Sequence, residues 1–384
     1  MNSIEAVSVS QVFDINATDA AEAEILTISG HGRCSFPAPS ETLRRAREHV
    51  PTLIGREVSQ QAEIDEVLQG IFSLLNMSMA FSVAVANAAA ASLGVPLYRY
   101  LGGIFANAMP HPLLKIFSAD ADYFGIPIGA GSFASAVASL ATIYRELNNL
   151  GIHGDSAHTD ILNRLIRITD AVGSKFGFEL KLGVDFKASK HARGKISFAD
   201  HASTTGTSRL QFLLDLARQY DQYYIEDAFD RTESEFQRQL TDELSVTCLI
   251  ASEATVDTSI ADARSAKRRR ETNFALIAPT GTVSSVFETC SRERANGRSC
   301  ALLTDNSATC DASPSQLAVA LSAPFVKLNN KGRQSTAKIN ELIRIEQELF
   351  DGSSYRMAKK TDLKKVDQWK RPRNTNLSSL LTNT

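Results

Sequence analysis

Polar and apolar residues alternate along positions 4–36, in runs such as EAVSVSQVF and AEAEILTIS. That period of two predicts half-buried antiparallel strands. Over 37–103 the pattern becomes helical. SETLRRAREHV opens with a serine cap and an acidic residue in its first turn. SMAFSVAVANAAAASLG is dominated by small side chains, which let another element approach its backbone closely, and it stops at Gly94 before Pro96. Strands followed by helices predict a small α+β unit over residues 1–125.

From about residue 126 apolar strand-like runs alternate with amphipathic helices. IPIGA, ELKLGVDF, QYYIEDAF, SVTCLIASEA and NFALIAP are separated by segments such as FASAVASLATIYRELNNL, in which Phe133, Val137, Leu140, Tyr144 and Leu147 share one helical face. Repeated βα units over 126–350 predict a TIM-type barrel. An open doubly wound sheet is the runner-up, but no glycine-rich dinucleotide loop follows the first strand. Chemistry in a barrel sits at the C-terminal strand ends. Those ends carry Asp185 in GVDF, Glu226 in YIEDAF and Ser252-Glu253 in IASEA, and successive acidic strand ends can hold a hard cation.

Composition narrows the classes. A chain of 384 residues, 43% hydrophobic, is ample for a large α/β domain with a smaller companion. Its net charge of −2 gives no reason to expect nucleic acid. The cysteines, Cys34, Cys248, Cys290, Cys300 and Cys310, lack CxxC spacing and are expected as reduced thiols in a cytoplasmic protein. The N-terminus lacks the pattern of a secretory signal, and the low-charge run 72–97 is broken by Asn and Ser, so a buried helix and no membrane span are expected.

Several stretches together resemble the enolase (phosphopyruvate hydratase) family. SVAVANAAAASLGVPLYRYLGG is similar to the signature at the end of that family's capping domain. GVDFKAS and YIEDAFD resemble the stretches carrying the metal aspartate and metal glutamate. GTVSSVFET resembles the helix start after the base-lysine strand, and SAPFVKLNNKGRQSTAKINELIRIEQEL the C-terminal segment. The likeness implies an enolase-like barrel with an N-terminal α+β capping domain, dehydration of 2-phosphoglycerate with Mg²⁺, and a dimer.

Carried over position by position, the resemblance puts the metal ligands on Asp185 and Glu226. Ser252 falls in the third ligand place, with Glu253 beside it. The base lysine falls on Ala278 in NFALIAPTG, the second lysine on Ala320, and the general-acid glutamate on Ser156 in HGDSAH. The phosphate-contacting His and Arg become Asp305 and Asn306 in TDNS, while Asp122 stands where a glutamate supports catalysis. Ala278 has no titratable atom, and losing one general acid or base costs about 10²–10⁴-fold in rate. Asp305 adds negative charge where a phosphate oxygen would sit. No new Cys-His or Lys cluster is expected in compensation, and His153 and His158, flanking Ser156, are expected as surface residues.

Two surface features remain. Lys267, Arg268, Arg269 and Arg270 end an outer helix, as dipole-complementing cations or a docking patch. Residues 351–384 form a basic C-terminal tail that carries Trp369 as a candidate partner-binding anchor. The sequence reading is therefore a non-catalytic, enolase-like pseudoenzyme: a scaffolding subunit binding other proteins in a larger, for instance cytoskeletal, assembly. It expects no cofactor, or Mg²⁺ bound weakly. The alternative is phosphopyruvate hydratase itself, a Mg²⁺-dependent hydro-lyase of glycolysis, or a relative with altered substrate.

Overall fold

The computed structural model describes residues 2–358 apart from 15, 39, 73–74, 150–157, 189–195, 199–200, 205, 231, 255–270, 305–308, 330–331 and 353–354. The alternating N-terminal runs form an antiparallel meander of β1 (Ile4–Phe13), β2 (Asp19–Thr27) and β3 (His31–Pro37). Helices α1 (Ser40–His49), α2 (Gln61–Ile71) and α3 (Leu75–Ser92) follow, then α4 (Leu97–Gly102). The small-residue helix α3 does what its composition predicts. β3 and the turn before it lie so close to α3 that a Cβ at Gly30 or Gly32 would stand 2.1 or 2.0 Å from the carbonyl oxygens of Ala88 and Ala84. Among the described residues no single helix is long and apolar enough to cross a membrane.

A short strand β4 (Ala108–Met109) leads into a closed eight-stranded barrel. Its strands are β5 (His111–Ser118), β6 (Asp122–Ile126), β7 (Lys181–Asp185), β10 (Tyr224–Glu226), β11 (Leu249–Ala254), β12 (Phe274–Ile277), β13 (Ser299–Leu303) and β14 (Phe325–Leu328). Strands β8 (Ile196–Phe198) and β9 (His201–Thr204) make a separate hairpin. The barrel thus begins before the boundary expected at residue 126. β5 and β6 form a hairpin within it, so β6 runs antiparallel to both neighbours. With no helix between them, the two strands lack the βα rhythm by which the barrel was recognised.

Alternation along each strand sorts the barrel into two layers. Phe124, Tyr224, Leu249, Phe274, Leu276 and Phe325 fill the interior. Val184, Ile225, Ile250, Ile277 and Val326 face the surrounding helices. Phe274 meets Tyr224 and Phe325 edge-on, with centroids 6.1 and 5.4 Å away, the arrangement aromatic quadrupoles favour. Gly183 is required by this filling, because a Cβ there would lie 2.7 Å from that of Tyr224.

The outer helices are α5 (Phe133–Asn149), α6 (His158–Phe176), α7 (Gly206–Gln219), α8 (Ser234–Leu244), α9 (Val283–Ala295), α10 (Ser313–Ala320) and α11 (Arg333–Asp351). The capping unit docks on α9. Buried Asp65 accepts the Ser82 hydroxyl at 2.6 Å and the Ser284 N–H at 2.9 Å, at the positive end of that helix. After α11 the chain returns as β15 (Arg356–Met357), paired with β4 at the pole opposite the mouth. Residues 355–358, expected as part of a free tail, are built into the fold: Tyr355 donates to Glu346, and the Ala358 N–H to the Met109 carbonyl at 2.8 Å. Trp369 lies outside the described residues.

Candidate active site at the barrel mouth

Because side chains alternate, each barrel strand presents one residue into the mouth at its end. On β7 the inward positions are Gly183 and Asp185; on β10 they are Tyr224 and Glu226; on β14, Phe325 and Lys327. β6 is antiparallel, so its first residue, Asp122, reaches the same end. Asp122 pairs in register with Asp185, and Asp185 with Glu226. Three carboxylates therefore stand in a row across adjacent strands.

Lysines neutralise this row. Lys327 Nζ lies 2.5 Å from Glu226 and 3.7 Å from Asp185, over the face of Phe124 with 5.0 Å to the ring centroid. Lys187 Nζ lies 2.7 Å from Asp122 Oδ1, and Lys115 Nζ 3.4 Å from Oδ2. The Lys187 N–H donates to Asp185 Oδ1 at 3.0 Å, and Tyr224 donates its hydroxyl to Glu226 at 2.5 Å. Burial, followed by the neighbouring charge of Glu226, pushes the Asp185 carboxyl up to about 6, against the pull of Lys327. Burial opposes the ionisation of Asp122 too, but Lys187, Ser118 and Lys115 outweigh it and hold that carboxyl below the ordinary range. The contrast follows from cation count, since Asp122 has two lysines to itself and Asp185 shares one.

Several positions depart from the sequence reading. Ala320 ends α10, outside the barrel, where its backbone packs against Gly102. It is not at the mouth, and the lysine of the last strand is Lys327, seven positions on, in FVKL. Ser252 faces the outer layer along with Ile250, and its hydroxyl meets Thr272 at 3.0 Å and Arg298 at 3.1 Å. Glu253 has the inward parity of Leu249 and Ala251 and is exposed. Ala278 directly follows β12, 4% exposed, and brings no charge to the mouth. Lys115, Lys187 and Lys327 are the lysine cluster that was not expected. His158 is buried, not at the surface, and bonds to the Tyr123 hydroxyl. Ser156, Asp305, Asn306, His153 and the Lys267, Arg268, Arg269 and Arg270 run lie outside the described residues.

Lys327 and Lys115 were detectable as single charges inside apolar strand runs, FVKL and PLLKIF. Lys187 stands just beyond β7 in the quoted GVDFKAS, at φ +53°, so strand parity could not have placed it.

Asp185 and Glu226 suit a cation such as Mg²⁺, which is commonly held by one or two carboxylates with the remaining places filled by water or substrate. Burial first and the charge of Glu226 second raise the Asp185 carboxyl, and a bound cation would lower it again. Among the described residues no three of His, Cys, Asp and Glu gather as a metal-binding group, so Glu253 does not close a third side.

Residues 167–364 match the family model for the enolase C-terminal TIM barrel domain. The chain is also similar over most of its length to proteins named enolase. It is 28% identical to that of Halorubrum lacusprofundi over 90% of this chain and 99% of the relative. For Methanothrix thermoacetophila the identity is 27%, over 92% and 97%. For Archaeoglobus fulgidus it is 28%, over 91% and 98%.

Proposed function

The chain belongs to the enolase family, and from that premise we propose that its barrel mouth is a Mg²⁺-dependent lyase site for a small carboxylate. The reaction would be a hydro-lyase reaction of the phosphopyruvate hydratase type with altered substrate preference. One observation carries the reading: Asp185, Glu226 and Lys327 stand together on three barrel strand ends, with Lys327 touching both carboxylates. Asp185 and Glu226 would hold the cation, which when bound would draw charge from a substrate carboxylate. Lys327 Nζ supplies a fixed positive charge beside the same position, in a partly buried setting where it is weakly screened. The altered preference rests on Ala278, which offers no base on the β12 side. Proton removal then falls to another mouth group, and Lys187 and Lys115 are the remaining amines there.

Ala278 also favours a second reading, in which the mouth binds a carboxylate without turning it over. Exchange of the α-proton separates the two. Purified full-length protein with Mg²⁺ in D₂O is incubated with 2-phosphoglycerate and with a panel of small 2- and 3-hydroxycarboxylates. Deuterium entering the position next to a carboxylate, dependent on Mg²⁺ and lost in Lys327→Ala, is expected for at least one compound. Its absence across the panel would leave only the binding reading. The sequence-based scaffold idea has no support in the relatives, which bear the name of the enzyme.

A further inference from the structure

The apolar side of the mouth borders a cavity of about 40 Å³ between the capping unit and the barrel. Alternate residues of β3, Cys34 and Phe36, form one wall, and Met79, Ala80 and Val83 of α3 form the next. Pro279 and Leu317 close it from the barrel side, and Pro279 directly follows Ala278. All of these except Pro279 are buried. Polar groups at the edge of the cavity are occupied with one another. Asp311 accepts the Ser35 N–H at 3.1 Å and the Ser313 N–H at 2.8 Å. The Thr309 hydroxyl donates to the Ser35 carbonyl at 3.2 Å. Burial and the nearby Asp311 carboxylate keep the Cys34 thiol protonated, so it adds no charge. A water there would lack the about two to four polar partners that hold buried water in place. Size narrows the occupant further. A single water needs only about 10–15 Å³, whereas a dry cavity of about 150 Å³ takes up benzene. A volume of about 40 Å³ suits an aliphatic group of about two or three carbons. Ala278, the residue between the mouth and Pro279, ends in a methyl group and brings neither length nor charge.

We propose that this cavity receives a short alkyl substituent of the substrate, which is therefore a small aliphatic hydroxycarboxylate with one charged end and one apolar end. This rests on the reading of the mouth as a substrate site. The carboxylate lies on the Asp185–Glu226–Lys327 side, and the chain points across the mouth towards Pro279. A cleft between two folded units, apolar in its walls with charge at one side, is a common setting for such a ligand. Each methylene that enters the cavity leaves water and gains contact with its walls. Selectivity on this side of the mouth then comes from chain length, not from a second charge.

Isothermal titration of the full-length protein, with Mg²⁺ present, against a ladder of 3-hydroxycarboxylates tests this. The ladder runs from 3-hydroxypropionate through 3-hydroxybutyrate, 3-hydroxyvalerate and 3-hydroxyhexanoate to 3-hydroxyoctanoate. Affinity should rise about fourfold per methylene as far as the valerate or hexanoate, then fall at the octanoate. Ala80→Val adds a pair of methyl groups to the cavity wall and should abolish the rise while leaving 3-hydroxypropionate binding unchanged. Met79→Ala enlarges the cavity and should move the optimum to a longer chain. The two changes act in opposite directions, so either one that keeps a cooperative thermal melt decides the matter. Affinity independent of chain length in the unaltered protein overturns the proposal, as does a length dependence that no folded variant alters. So does the absence of saturable binding of every acid up to about 50 mM. Length-dependent binding without α-proton exchange in any of the acids would sink the lyase reading and leave this inference standing. Exchange whose KM is insensitive to chain length would sink the inference alone.

Discussion

Two arcs of one barrel mouth differ sharply. The strand ends of β14, β5, β6, β7 and β10 carry Lys327, Lys115, Asp122, Asp185 and Glu226, with Lys187 just beyond β7. Those of β12 and β13 offer Ala278 and Leu303. Beside the second arc, an apolar cavity of about 40 Å³ separates the capping sheet from the rim, lined by Cys34, Phe36, Met79, Val83, Pro279 and Leu317. The strands of both arcs belong to one closed barrel, and apart from the antiparallel β6 they pair in the same parallel sense, so the difference lies mainly in side chains. It teaches that the scaffold and its chemistry were free to change separately. Among the described residues charge gathers on one arc, while Ala278 and Leu303 leave the β12–β13 side without it and Glu253 on β11 stands between the two.

Removing the central cation should break the charged arc most severely. Lys327→Ala leaves Asp185 and Glu226 facing each other unpaired, and a broken partly buried ion pair costs on the order of 3 kcal/mol. Urea melts should register that loss together with the disappearance of α-proton exchange. A variant as stable as the parent would mean that the row is solvent-screened. pH sharpens the same arc. The Asp185 carboxyl titrates at about 6 in the folded protein against 3.8 in the unfolded chain. Between those values the folded state binds more protons. Its contribution is therefore full below about pH 4 and is lost as pH rises through about 6, at most about 3 kcal/mol. The fall should be visible as the difference between the pH–stability curves of the parent and Asp185→Asn; superimposable curves would show an unperturbed carboxyl.

The apolar arc answers to the opposite change. Ala278→Lys places an ammonium at a position 4% exposed, next to an apolar cavity, and should cost about 2 kcal/mol in urea unfolding. A neutral effect would mean that water fills this side and that the two arcs are alike. The smallest effect is expected far from both. Ending the chain after residue 358 should leave the melting temperature within about 1 °C. Ending it after 351 removes β15 and the Tyr355–Glu346 bond and should lower it by several degrees, about 1–2 kcal/mol. Equal melts for the two truncations would show that β15 contributes nothing.

The frame was legible because its signals are local. Alternation marked β1 to β3, small residues marked the close approach of α3 to Gly30 and Gly32, and the βα rhythm marked the later strands. Asp185 and Glu226 were legible as strand-end acids. What escaped was non-local. Lys327 was missed because the resemblance puts the second lysine on Ala320, whereas strand parity with Phe325 decides which side chain enters the mouth. Lys115 and Lys187 acquire meaning only through Asp122, which the antiparallel β6 turns toward them. Ser252 looked like a ligand by position, and a one-residue difference in parity sends it to Arg298 instead.

The pairing of β14 with β5, and of β15 with β4 beyond it, governs how this chain must emerge from the ribosome. The first strand of the barrel is synthesised long before the one that closes it, and the segment that secures the opposite pole comes later still. Until residues beyond 325 have left the exit tunnel, β5 has an open edge of unpaired N–H and C=O groups and an apolar inner face exposed to water. The capping unit, whose strand and helix contacts lie close in sequence, can fold while that wait continues. Translation pauses downstream of the cap would therefore prolong exposure of a sticky half-barrel, making late-region codon usage and chaperone supply determinants of soluble yield.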